Sequence, residues 1–226
     1  MNLPTYVHKI NILTKKQYKA LQIFFSLSLC LFIIFAAVKL TLMFKPLYYF
    51  DIQYLNIEKQ SGFSKTEIVK NYDYVINYLL TPEHQEFKLP SIQYSKYGQI
   101  HFSDVKKLFT YIDILLIVTG LINVLGLLLN IKRKNFDFLK HASAMLILLP
   151  SVLLTGILIN FDATFVMFHK IFFKNDYWQF DPELDPIINI LPQEFFYHTA
   201  LLIVVIIIFS IITFRLLYKK LNINFR

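Results

Sequence analysis

Apolar residues gather into four long stretches of this chain: residues 21–44, interrupted by Lys39, then 112–131, 142–161 and 199–217. Each reaches the roughly 20 residues with which an α-helix crosses about 30 Å of hydrocarbon. The pattern predicts an all-α polytopic membrane protein, a single integral domain over residues 1–226 with four transmembrane helices. Between the spans lie residues 45–111 and 162–198, neither polar enough nor long enough to fold as a separate soluble domain. They are expected to cap the bundle with short helices and a small β-hairpin.

Within the first of these segments, Ser64-x-x-Glu67 is a capping-box pattern. Ile68, Val69, Tyr72, Val75, Ile76, Leu79 and Leu80 follow at helical spacing until Pro82 stops the run, which predicts an amphipathic helix. Residues 92–94 and 99–102, separated by a turn containing Gly98, are the expected hairpin. A helix running from Asp104 to Ile131 would measure about 42 Å. Its first two turns must then protrude, with His101 just beyond them. The apolar run that starts at Ala142 continues to Phe173 and is too long for one span, so the chain must bend after Asn160 and Asp162.

Composition agrees with the pattern. At 56% hydrophobic and 17% aromatic residues, the 226-residue chain has more apolar surface than one soluble core of that size can hide. Charge adds an orientation. Residues 1–20, residues 132–141 and the tail from Arg215 hold twelve of the 23 basic residues and only Asp137 of the 15 acidic ones. Basic residues beside short loops stay cytoplasmic, so both termini are expected inside and residues 45–111 and 162–198 outside. The net charge of +8 is thereby a topology signal spread over short segments and not a nucleic-acid patch. The first span is long for a cleaved signal, and Leu29 is too bulky to precede a lipid-modified Cys30. A single cysteine excludes a disulfide framework and a thiolate metal site.

Candidate chemistry collects where the outer segments meet the membrane. His101 stands in His101-Phe102-Ser103-Asp104-Val105. His169 shares a helical face with Phe165 and Phe172, and Asp162 is placed to cap that helix. Trp178 suits the headgroup belt, Pro182 and Pro186 force turns after Asp181 and Asp185, and Pro192 opens the fourth helix. The two imidazoles, 68 residues apart, are thus expected at one depth on the outer face. An imidazole can accept a proton, donate one or bind metal, and Asp104, Asp181 or Asp185 would orient it. Plainer roles exist for each: a headgroup-facing histidine, a turn-forming Asp-Pro, an aromatic membrane anchor. His84 reads as solvent-exposed, and His198 as a third site residue or a helix-end group. His8 and His141 fall on the inner side, and Lys39 is expected to snorkel outward.

These residues carry a resemblance. His101-Phe-x-Asp-Val, Phe168-His169-x-x-Phe-Phe, Trp178-x-Phe-Asp181-Pro, Asp185-Pro and Leu191-Pro192-x-x-Phe195-Phe196, set on four spans, resemble the bacterial lipoprotein intramolecular transacylase family, Lit. Residues 45–90 add nothing diagnostic. The resemblance implies a multi-pass acyltransferase of the bacterial plasma membrane that works without a cofactor. Its partner there would be a diacylglyceryl-modified lipoprotein in the outer leaflet. The sn-2 acyl chain would move to the α-amine of the N-terminal cysteine, giving a lyso-form lipoprotein. The family's two essential motif histidines correspond to His101 and His169.

The chemistry of the residues fits that implication. An ammonium cannot attack an ester, so a base must take its proton and a donor must steady the developing oxyanion. His101, with Asp104 nearby, is the expected base and His169 the expected donor, with the exchanged roles open. No GxSxG elbow is present, so the substrate's own tethered amine is the expected nucleophile; a transient acyl-histidine stays open. Phe102, Phe165, Phe172 and Trp178 would line the acyl chains and exclude water. Two alternatives stand beside this: a metal-dependent membrane hydrolase using the same histidines, and a non-catalytic membrane accessory protein.

Overall fold

The computed structural model describes residues 14–224; Lys9 and Arg226 of the basic tally, and His8, lie outside them. Every regular element among the described residues is a helix: α1 (Lys15–Met43), α2 (Lys45–Tyr54), α3 (Ile57–Ser61), α4 (Lys65–Leu80), α5 (Lys96–Arg133), α6 (Asp137–Ile159), α7 (Phe161–Phe172), α8 (Ile187–Ile190) and α9 (Gln193–Asn224). Four of them, α1, α5, α6 and α9, are long and apolar enough to cross a membrane. Leu121, Leu148, Val152 and Phe209 stand exposed on them, as side chains facing lipid can.

Helix α1 packs against α5, α6 and α9. Its buried face carries the small residues Ser26, Cys30 and Ala37, which let neighbouring backbones approach. The tightest point is Gly126 of α5, where a Cβ would stand 2.7 Å from the Phe25 ring. Polar side chains lock the same end of the bundle. Asn130 accepts from Tyr18 at 2.9 Å and from Gln22, and Gln22 in turn accepts the backbone N–H of Phe138 at 3.0 Å, which ties α6 to α1. Lys39, near the end of α1, has a partner on the adjacent helix. It forms an ion pair at 2.7 Å with Asp113 of α5, and a charged group at a span's end is commonly matched in this way by an opposite charge on a neighbouring helix.

A second core lies beyond the spans, among α2, α3, α4, α8 and the starts of α5 and α9. Tyr48, Ile52, Ile57, Ile68, Ile187 and Ile190 are sealed from solvent there. The capping box at Ser64 and Glu67 starts α4 as its pattern predicts, and the buried Ile68, Tyr72, Val75, Ile76 and Leu79 form its inner face. Residues 81–95 are pinned to α4 by the wholly buried Asn71, which donates to Ser91 Oγ at 2.8 Å and accepts the backbone N–H groups of Ser91 and Ile92. Phe87 plugs a cage of rings, stacked on Phe102 at 4.4 Å and edge-on to Tyr78 at 5.1 Å.

The expected hairpin is absent. Ser95 Oγ accepts the Gly98 N–H at 3.0 Å and starts α5, so residues 99–102 are helical while 92–94 remain irregular. Gly98 signals close approach and not a turn: a Cβ there would meet Asp185 Oδ1 at 2.2 Å. Helix α5 therefore begins earlier than the sequence pattern indicates, and its 38 residues extend roughly 57 Å, with His101 inside its second turn. The apolar run after Ala142 bends where expected, at Asn160, whose extended backbone separates α6 from α7.

Gly126→Val should force α1 and α5 apart and cost about 1–3 kcal/mol, read as a lowered thermal midpoint in detergent. Adding Phe25→Ala should recover part of the loss.

Candidate active site

Two helices from distant parts of the chain bring the histidines together. His101 sits on α5, and its approach is fixed by Asp185 from the segment after α7. Asp185 accepts the Ser95 backbone N–H at 2.8 Å and the Ser95 hydroxyl at 2.6 Å, at the N-terminus of α5. A carboxylate there satisfies an otherwise orphaned donor and faces the positive end of the helix. His169 sits near the end of α7. Asn160 caps that helix, accepting the Ala163 N–H at 2.9 Å. Asp162, the expected cap, lies instead in the first turn and accepts from Gln193 of α9.

The imidazole centroids stand 6.0 Å apart, and the residues are 7% and 8% exposed. Aromatic rings enclose them. Phe173 lies 5.0 Å from the His101 ring and 5.6 Å from the His169 ring, Phe180 meets His101 edge-on at 5.3 Å, and Trp178 stacks on His169 at 4.7 Å. His169 Nδ1 is 2.8 Å from the Phe165 carbonyl. A carbonyl only accepts, so Nδ1 carries the hydrogen and Nε2 of the neutral ring is left with its lone pair. Burial holds the His169 pKa below the ordinary imidazole value, with the Phe165 carbonyl bond pulling the other way. His101 Nδ1 and Trp178 Nε1 are buried without hydrogen-bond partners.

The aspartates take positioning roles. Asp104 accepts from Lys107 at 2.8 Å and from Asn175 at 3.1 Å, tying the segment after α7 to α5; it makes no hydrogen bond to His101. Asp181 accepts the Glu183 N–H and closes a turn. Asp185 holds Ser95 and makes its hydrogen bonds there. Among the rings, Phe165 lies 4.2 Å from His169. Phe102 belongs mainly to the second core, and Phe172 is 52% exposed against Phe168. Phe173 and Phe180 stand within the quoted motifs but not among the rings expected to line the acyl chains. The spacing of Phe173, four residues after His169, was the available signal. His198 pairs with Asp51 of α2, and no ring contact joins it to the paired histidines. Among the described residues no group of three His, Cys, Asp or Glu side chains is placed to hold a metal ion.

Comparison with known families places this arrangement. The family model described as lipoprotein intramolecular transacylase Lit matches residues 23–196, which include both histidines and the rings around them. The chain belongs to the Lit family. The membrane-integral Lit of Bacillus cereus is 39% identical and superposes with a TM-score of 0.90, covering 93% of this chain and 98% of that one. Two variant structures of the same Lit protein match at 39% identity. The form with a histidine replaced by arginine gives a TM-score of 0.84, covering 91% of this chain and 92% of that one. The form with a histidine replaced by alanine gives 0.83, covering 91% and 94%. Comparison with curated proteins gave no match.

Asp185→Ala should strand the Ser95 donors and lower stability by about 1–3 kcal/mol in thermal unfolding, whereas Asp181→Ala should stay within about 0.5 kcal/mol. Ring-nitrogen NMR of the histidine-labelled protein at pH 6.5 should find His169 mainly neutral and protonated on Nδ1, because its pKa lies below that value.

Proposed function

We propose that this chain moves the sn-2 acyl chain of a diacylglyceryl-cysteine lipoprotein from its glyceryl oxygen to the α-amine of that cysteine, leaving a lyso-form lipoprotein. The reading is supported most by two buried imidazoles 6.0 Å apart, on different helices, in a chain of the Lit family. The reaction takes place in the outer leaflet of the bacterial plasma membrane. The second core caps the bundle there, and both termini lie on the cytoplasmic side, as the basic residues of the short segments favour.

His169 is the better base. Its Nε2 lone pair is free because Nδ1 is committed to the Phe165 carbonyl. His101, rather than serving as the base expected from Asp104, presents a ring with no acidic hydrogen-bond partner and donates to the carbonyl oxygen. The substrate amine in its neutral form attacks the ester carbonyl and, as the C–N bond forms, the nitrogen gives one proton to His169 Nε2, while negative charge moves to the carbonyl oxygen, where the His101 N–H steadies it. The C–O bond then breaks, and the glyceryl oxygen takes the proton that His169 had accepted. Amine and ester belong to one molecule, so the step is intramolecular and gains from proximity. Phe165, Phe173, Phe180 and Trp178 shield the ester from water, which would otherwise release the acyl chain as free acid.

Expression in a host that makes diacylglyceryl lipoproteins should convert their N-termini to the N-acyl, monoacylglyceryl form, read by mass spectrometry of N-terminal peptides. An unchanged diacyl form would overturn the proposal. His101→Ala and His169→Ala should each lower conversion about 10²–10⁴-fold while the protein still accumulates in the membrane.

A further inference from the structure

The ring wall around the paired histidines contains a polar group that the acyl transfer leaves unused. Trp178 Nε1 is buried and has no hydrogen-bond partner among the described residues. An indole N–H only donates, and a tryptophan sealed from water ordinarily finds an acceptor. His169 does not supply one. The indole stacks on that imidazole at 4.7 Å with 28° between the planes, so the N–H runs alongside the ring and not into it. Leaving such a donor unpaired costs stability. Stacking and exclusion of water do not require it, since Phe165, Phe173 and Phe180 serve those ends in the same wall. The chain has 23 phenylalanines and a single tryptophan, and the tryptophan stands against the proposed base. A tryptophan that anchors a protein in the headgroup belt turns its N–H to the wet interface, whereas this one is enclosed.

The substrate carries the acceptors. In the transfer set out above, the His101 N–H holds the ester carbonyl oxygen, and the α-amine lies at His169 Nε2, whose lone pair takes its proton. The carbonyl left over beside the reacting groups is that of the cysteine residue, on the same carbon as the amine. With the amine on His169, the nearest free donor to that oxygen is the indole stacked on the same ring. A second contact of this kind fixes the rotation of the amine toward Nε2, which one amine–imidazole contact leaves free. It also discriminates. Membrane lipids with a primary amine and glyceryl esters have no carbonyl beside the amine, and a buried donor that they leave unpaired counts against them.

We propose that Trp178 binds the carbonyl oxygen of the substrate's N-terminal cysteine through its Nε1–H and thereby sets the α-amine against His169 Nε2. The donor's role rests on the acyl-transfer reading of the site, and it names the substrate feature that the site selects: an amine with an amide carbonyl on the adjacent carbon.

One measurement uses a variant and another the unaltered chain. In the first, the purified protein acts on diacylglyceryl-cysteine amide and on diacylglyceryl-cysteamine, which keeps the amine and the esters but has no carbonyl beside the amine. Trp178→Phe keeps a ring on His169 and removes the N–H. The wild-type-to-variant ratio of kcat/KM should be about tenfold larger for the cysteine amide than for the cysteamine. A merely structural loss would slow both alike. In the second, the indole N–H resonance of the wild type, unambiguous because the chain has one tryptophan, is followed by NMR as the dialkyl-ether analogue of each substrate is added. These analogues have no ester and cannot react. The indole proton should move downfield with the cysteine amide ether and stay in place with the cysteamine ether. Equal ratios for the two substrates, or the same indole shift with both ethers, would overturn the proposal. If the wild type transfers no acyl chain to either amine, the acyl-transfer reading falls, and the ether measurement still decides whether the indole takes the carbonyl.

Discussion

One buried carboxylate connects the parts of this molecule that matter for chemistry. Asp185 belongs to the segment that follows the His169 helix, and it accepts both Ser95 donors at the start of the His101 helix. The contact is close enough that only glycine fits at position 98. A charged acceptor at a helix N-terminus is strong and directional, so it fixes both where α5 begins and how the later segment lies across it. Asp104 adds a second tie through Asn175. Without such ties, two rings on separate helices have no reason to keep a common distance, since apolar packing against aromatic neighbours tolerates sliding.

The arrangement also explains why the aspartates are not at the imidazoles. A carboxylate against His101 would favour the imidazolium and hold it charged inside a wall of rings. Asp104, Asp181 and Asp185 are instead engaged in caps, turns and lysine or asparagine contacts, where they position backbone. The histidines are left with phenylalanine, tryptophan and one backbone carbonyl. That carbonyl, at Phe165, sets the tautomer of His169. An apolar, ring-lined wall suits an acyl transfer in which water is the competing nucleophile.

Membrane solvent shapes the remainder. The spans expose their apolar faces and bury small residues and isolated polar networks, such as Gln22 with Asn130, where helices touch. The second core does the reverse, with tyrosine, phenylalanine and isoleucine packed densely between short helices. A helix as long as α5 joins the two, so the position of His101 is set by the second core although its helix is rooted among the spans.

The four long apolar helices, the bend at Asn160 and the amphipathic α4 were legible in the sequence, because burial in lipid or along one helical face imposes a period that a single chain must display. The histidines were legible as chemical types at the ends of apolar runs. What the sequence did not contain was direction. Gly98 reads equally as a turn or as a point of close approach, and only the presence of Asp185 against it decides. Phe172 and Phe173 are adjacent in sequence, yet one faces outward and the other touches both imidazoles, because the chain leaves helical geometry between them. His198 could have joined the site by its position, but Asp51, a residue 147 positions away, holds it on another face. Such choices rest on contacts between segments remote in sequence, and no local period encodes them.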